Sequence, residues 1–182
     1  MSESAAATLL HHRAALAKNA HAYTQDWERV QRTAVAHLKK CGFGRVTLAR
    51  CKDLVIRFAE LIFDTQDRKP FFHVDGPLPY CWNAPKDWDK DYIRYEWGHL
   101  RSRNQNSSGA NTVENLCLQS ARCNQHIQTS LNIEEVFDWL MGSPVAKRTS
   151  EVLDRRAALF ASEEWRVLLR DLEKYRTPSK GA

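Results

Sequence analysis

The sequence predicts an α+β protein in which helices at both ends enclose a short-stranded middle. Three observations carry this. Residues Ala5 to Lys40 are rich in Ala, Leu, Arg, Lys and Gln and contain neither Pro nor Gly, the composition of a helix. Leu48, Cys51, Leu54, Val55, Phe58, Leu61 and Ile62 recur at steps of three and four residues, an amphipathic helical stripe that reads as core. Between Lys69 and Asp91 four prolines and several aromatic residues occur without any helical period, which predicts short strands and turns.

In chain order, the first segment reads as one long helix or as two broken near Tyr23 and Thr24. Cys41-Gly42-Phe43-Gly44 ends it, and Thr47 is placed to cap the next helix. Tyr92-Ile93-Arg94-Tyr95 has strand propensity and leads into His99. Asn104 to Asn111 is a loop by composition, because Asn, Ser and Gly favour turns and side-chain-to-backbone hydrogen bonds. Helix is expected to resume near Leu116 and to run past Asn124. Asn132 and Glu135 have capping-box spacing for a helix over Ile133 to Met141, stopped by Gly142 and Pro144. Lys147 to Tyr175 is expected to be helical, re-nucleated at Ser162, before a disordered polar tail from Thr177. Residues 1–68 thus form a helical N-terminal region, 69–130 the strand-containing core, 131–176 the C-terminal helices and 177–182 the tail. There are no internal repeats.

A chain of 182 residues with 43% hydrophobic content suffices for one compact domain, or for a small module wrapped by helices. Lys and Arg exceed Asp and Glu by five (27 against 22) and the pI is about 9.0. That balance modestly favours a polyanionic partner, because neutralising phosphates releases condensed counterions. Many plain basic proteins share it. No apolar run approaches the roughly 20 residues of a membrane span, and the N-terminus lacks a basic-then-apolar signal pattern. A cytoplasmic protein without a membrane partner is expected, and a homodimer stays open. The five cysteines, Cys41, Cys51, Cys81, Cys117 and Cys123, are odd in number and contain no C-x-x-C pair, so neither a disulfide framework nor a zinc ribbon is indicated. They read as buried small hydrophobes or inert thiols, and no structural zinc is expected.

The segment from Tyr95 to Gln128 reads YEWGHLRSRNQNSSGANTVENLCLQSARCNQHIQ. His99 is followed sixteen positions later by Asn115, and Asn124 stands nine positions beyond that, directly after Cys123. Each residue alone is unremarkable. Their joint register resembles the HNH (ββα-metal) nuclease signature, in which a strand-borne histidine faces an asparagine-bearing loop and a helix that supplies a metal ligand. The resemblance covers about a third of the chain. It implies a ββα-metal core over roughly Phe71 to Thr129, embedded between the terminal helices. It also implies His99 as the base that activates water, Asn115 as the asparagine that braces the histidine, and Asn124 as the ligand of a single Mg²⁺ or Mn²⁺.

Those roles match what phosphodiester hydrolysis requires: a base, a cation for the developing charge, and a group that holds the base in one tautomer. Many members of the family carry an aspartate directly before the histidine as a further ligand, and here that position is Gly98. Either the cation is held by Asn124 with water and phosphate oxygens, or another carboxylate substitutes. Glu96, two residues before Gly98, shares its strand face in a regular pleat. Pairing of Glu96 with Arg94 or Arg101 is the alternative. His126 falls on a different helix face from Asn124, and His73 stays open. Arg94, Arg101, Arg103 and Arg122 cluster around the segment and are candidates for gripping phosphates, or else form a solvated face. The function expected is metal-dependent endonucleolytic hydrolysis of DNA in a restriction, phage or antibacterial setting. A non-catalytic nucleic-acid-binding protein that retains the ββα fold and an RNA-directed nuclease are the alternatives.

Overall fold

Helix α1 spans Ala20–Lys40 unbroken, so no interruption occurs at Tyr23 or Thr24. A left-handed turn stops it: Gly42 has φ +95°, open to glycine at little cost, and the amide of Phe43 donates back to Leu38 O at 3.0 Å. Helix α2, Leu48–Asp64, follows. Thr47 occupies its N-cap with extended backbone but makes no capping bond through its side chain. Its carbonyl instead accepts from the Cys51 amide at 3.0 Å and from Cys51 Sγ at 3.1 Å, where Cys51 kinks the first turn. The computed structural model describes residues 20–69, 71, 95–103, 109–121, 123–139 and 144–178. The expectations for residues 5–19 and for most of the segment from Lys69 to Asp91 lie outside them.

Strand β1, Tyr95–His99, pairs antiparallel with β2, Leu116–Ser120, setting Glu96 opposite Gln119, Gly98 opposite Cys117 and His99 opposite Leu116. The helix expected from Leu116 is therefore a strand. Its sequence suits either period, and pairing decides: all five residues of β2 are buried, on both faces of the sheet. Leu116 and Leu118 join a core with Val30, Ala34 and Leu38 of α1, Val55, Phe58 and Ile62 of α2, and Trp97 of β1. Cys117 faces a second cluster with Phe71, Leu100, Cys123, Ile127, Ile133 and Val152. Beyond β2, Ala121 is helical and Cys123–Gln128 forms a π-helix. Among the described residues, then, the protein mixes helices with one two-stranded sheet.

The aromatic side chains lock α1 and α2 to β1. Phe58 stacks on Trp97 at 5.1 Å, and the Trp97 indole N–H donates to Val30 O at 3.0 Å. Each such fully buried large side chain contributes roughly 1.5–3 kcal/mol, so the N-terminal helices and the sheet stand on one core. Below β2, the Gln66 side chain accepts from the Leu118 amide at 3.1 Å and donates to its carbonyl at 2.7 Å.

Helix α3, Ile133–Trp139, begins as the capping-box spacing predicts, with the Asn132 amide donating to Glu135 Oε2 at 2.7 Å. The stop expected at Gly142 lies outside the described residues, and Pro144 opens α4, Pro144–Ala161, where its fixed φ and missing N–H suit a first turn. Ser162 re-nucleates the chain as expected, its hydroxyl accepting from the Trp165 amide at 3.1 Å to cap α5, Glu163–Glu173. Trp165, Leu168 and Leu172 return α5 to the first core. Thr177, placed by the sequence in the polar tail, donates its amide to Gly42 O at 3.0 Å. Among the described residues no helix is long and apolar enough to cross a membrane.

Candidate functional site

The hairpin and the π-helix carry the signature residues on adjoining elements. His99 ends β1, Asn115 stands just before β2, and Asn124 lies in the first turn of the π-helix. Asn115 fixes the chain between the strands: its Oδ1 accepts from the Arg101 amide at 2.8 Å, and its Nδ2 donates to the carbonyls of Arg101 and Ala110 at 3.0 and 3.1 Å. Its own carbonyl accepts from the Leu100 amide at 2.9 Å. Asn115 thus braces the backbone beside the histidine. The side chain that meets the imidazole is Asn111, whose Oδ1 lies 3.3 Å from His99 Nε2.

That contact sets the proton. Since Asn111 Oδ1 can only accept, Nε2 carries the hydrogen and Nδ1 is left as the acceptor. Burial lowers the His99 pKa below its ordinary value, the Asn111 bond opposes the shift, and Arg103 and Lys40 add to it. The shift favours the neutral imidazole. Its backbone carbonyl accepts from Gln128 Nε2 at 2.7 Å, which ties the strand end to the π-helix. The ring meets that of His37 from α1 nearly edge-on, with centroids 6.0 Å apart.

On the other face of β1, Glu96 and Asn124 are in contact. Asn124 Nδ2 donates to Glu96 Oε2 at 3.0 Å, and Gln125 Nε2 donates to Glu96 Oε1 at 2.7 Å. Arg101, the alternative partner for Glu96, instead pairs with Glu134 at 3.3 Å. Gly98 explains how close the π-helix comes. A Cβ there would lie 2.6 Å from Gln119 Nε2 and 2.9 Å from Asn124 Oδ1, so two carboxamides occupy the space a side chain at this position would need. No protein family, curated protein or solved structure matches the chain.

Among the described residues no group of three or more His, Cys, Asp or Glu side chains gathers in a metal-binding arrangement. The oxygen donors that do gather are one carboxylate, Glu96, and the carboxamide of Asn124, hard ligands of the type Mg²⁺ takes with several waters retained. Beside them Gln119 is fully buried, and its Oε1 has no hydrogen-bond partner among the described residues. Its orientation is imposed: Gln128 gives its N–H groups to the carbonyls of His99, Leu100 and Leu131, so its Oε1 must accept from Gln119 Nε2. The Gln119 atom nearest the Gly98 position is Nε2, not this oxygen. Glu96 and Asn124 are thus two hard oxygen donors in contact, with Glu96 the charged member.

Of the proposed phosphate-gripping arginines, Arg103 is exposed and Arg101 is exposed within its pair with Glu134. Arg94 and Arg122 lie outside the described residues, as do His73 and the side chain of His126. The sequence did not single out Asn111, Gln119 or His37. Asn111 was hidden in a run of turn formers, Gln119 in a segment read as helix, and His37 on a helix whose partner was unknown.

Proposed function

We propose that the protein is a metal-dependent endonuclease of the ββα-metal type, acting on the phosphodiester bonds of DNA. What supports this most is a single relationship: the hairpin 95–99/116–120 leads directly into a helical turn whose Asn124 packs over Gly98 and Glu96, with His99 closing the strand. His99, neutral and with Nδ1 as acceptor, is the group that takes a proton from water. Asn111 holds its tautomer, and Asn115 holds the turn on which Asn111 is carried. Glu96 and Asn124, with Gln119 beside them, are the residues that would hold Mg²⁺ or Mn²⁺. Such a cation stabilises the charge developing on phosphate oxygens. Arg101 lies on the surface, where its exposed pairing with Glu134 is worth at most about 1 kcal/mol and so yields readily to a phosphate.

A second reading, a nucleic-acid-binding protein without catalysis, is favoured by Gly98 standing where the resemblance places an aspartate. Incubating the protein with plasmid DNA and with RNA, with Mg²⁺, Mn²⁺ or EDTA, separates the readings. Metal-dependent nicking of plasmid is expected. Binding without nicking supports the second reading, and cleavage of RNA alone moves the substrate.

A further inference from the structure

Positive charge collects where α1 turns into α2. From Lys39 to Lys52 the chain holds five cationic residues, Lys39, Lys40, Arg45, Arg50 and Lys52, and no carboxylate. All five are exposed. None of their side chains makes an ion pair or a hydrogen bond among the described residues, whereas Arg32, Arg57 and Arg101 each pair with a carboxylate. Lys39 and Lys40 complement the dipole at the last turn of α1. Arg50 stands in the first turn of α2, which has no acidic residue and where the dipole disfavours a cation. Local helix stability therefore does not account for the run, and an external anion does.

One cation of this run reaches the site. His37 sets its ring against that of His99, with centroids 6.0 Å apart, and Lys40 follows nearly one turn along the same side of α1. Its charge lowers the pKa of both imidazoles. A second cation comes from the sheet. Four residues beyond His99, Arg103 is exposed, its side chain makes no ion pair or hydrogen bond among the described residues, and it too lowers the His99 pKa. The chain leading to Arg103 is fixed, because the Leu100 and Arg101 amides donate to Asn115 at 2.9 and 2.8 Å and the Ser102 amide donates to Asn132 Oδ1 at 2.8 Å.

We propose that Lys40 and Arg103, two cations carried on different elements, are the contacts that hold the nucleic-acid backbone at His99, with Arg45, Arg50 and Lys52 extending the attraction around the α1–α2 turn. The assignment deepens the nuclease reading and rests on it. Arg103 presents a planar fork that fits two phosphate oxygens, and Lys40 a mobile point charge. An anionic membrane requires charge alone, whereas two cations beside an imidazole with an accepting nitrogen suit a phosphodiester whose attacking water must lose a proton.

The test is fluorescence anisotropy of a labelled DNA duplex in EDTA over a series of NaCl concentrations, using wild type, Lys40→Ala, Arg103→Ala, the double variant, Lys40→Arg and Arg166→Ala. Each phosphate contact that is lost should make the plot of log K against log salt shallower by about 0.9, through counterion release. The two single variants are expected to lose about one unit of slope each and the double variant about two, equally on two unrelated duplex sequences, because phosphates carry no sequence information. Lys40→Arg should keep the wild-type slope. Arg166, an exposed cation of α5, a helix that packs on α2 and α4, loses the same charge and should leave the slope unchanged. Melting curves should stay near wild type throughout, whereas a role confined to the helix dipole would move the melting curve of Lys40→Ala and not its slope. A wild-type slope in either single variant, or an equal change in Arg166→Ala, overturns the Lys40–Arg103 assignment and leaves the nuclease reading standing. A wild type that binds no duplex, whether or not it binds phosphatidylserine vesicles, overturns the DNA-nuclease reading as well.

Discussion

Asn124 turns its N–H, and not its carbonyl, toward the Glu96 carboxylate. Asn124 Oδ1 is directed at Gly98, and Glu96 accepts from both Asn124 and Gln125. For both to offer oxygen to one ion, the carboxamide must turn over, so metal binding and the Asn124–Glu96 hydrogen bond exclude one another. Titration with Mg²⁺ is expected to shift the Asn124 side-chain NH₂ signals in a ¹H–¹⁵N spectrum. In Glu96→Gln, which keeps size but removes charge, the Mn²⁺ affinity measured by calorimetry should fall by about tenfold or more. An equal affinity in that variant removes Glu96 from the site.

His99→Ala should lower the cleavage rate by on the order of a hundredfold or more while DNA binding and the melting curve stay near wild type, because a general base acts mainly in the transition state. Since burial lowers the His99 pKa, the reactive neutral form persists below the ordinary value of 6.5, and the acid limb of the pH–rate profile should lie below it. An acid limb above 6.5 would point to a different base.

His37 predicts a stability effect with a definite sign. Its folded pKa, about 4, lies below the ordinary 6.5, so the unfolded chain binds more protons throughout that window. Stability is then full above pH 6.5 and falls as pH drops toward 4. Melting temperatures between pH 7.5 and about 5, above the range where most carboxylates titrate, should decline in wild type and decline less in His37→Gln. Parallel declines would mean that other groups are responsible.

Gly98→Ala should destabilise the fold by about 1–3 kcal/mol, as overpacking does, because its Cβ would sit 2.6 Å from Gln119 Nε2. By the same geometry, Gly98→Asp by itself should not tighten Mn²⁺ binding, whereas combining it with Gln119→Ala, which removes the nearer of the two carboxamides, should. Tighter binding by the single variant would show that Gln119 yields easily.

The Arg156 guanidinium is buried within the core, donating through Nη2 to the carbonyls of Glu114 and Leu116 on either side of Asn115. Nε and Nη1 have no hydrogen-bond partner among the described residues, the guanidinium lies over the Phe160 ring at 5.1 Å, and burial lowers its pKa. Arg156→Ala exposes those carbonyls to an unfilled space and should cost on the order of 3 kcal/mol in urea denaturation. A cost below about 0.5 kcal/mol, the level of an ordinary surface change, would show that the guanidinium is no net support for the turn.

Helix ends were legible in the sequence wherever local chemistry sets them, as at Gly42, at the Asn132–Glu135 capping pair and at Ser162. Strand β2 was not. Leu116 to Ser120 lacks a decisive period, and its conformation follows from pairing with residues some twenty positions earlier. The resemblance named His99, Asn115 and Asn124, which stand at the end of β1, just before β2 and in the π-helix, with the His99 side chain on the opposite face of β1 from Glu96 and Asn124. It could not place Asn111 or Gln119, because their roles depend on which side of a turn or a strand each one faces. Nor could it place α1, whose approach to β1 is fixed by Trp97 and Phe58 in the core.

The Gln66 side chain bonds both the N–H and the C=O of Leu118, as a neighbouring strand would, and the Phe71 amide adds a second donor to the same carbonyl at 2.8 Å. A two-stranded sheet ordinarily offers its outer rim as a template for another chain. Here a single glutamine amide imitates the missing neighbour at the midpoint of β2, and the outward backbone groups there are already taken. A further strand at Leu118 would have to displace both the Gln66 side chain and the Phe71 amide.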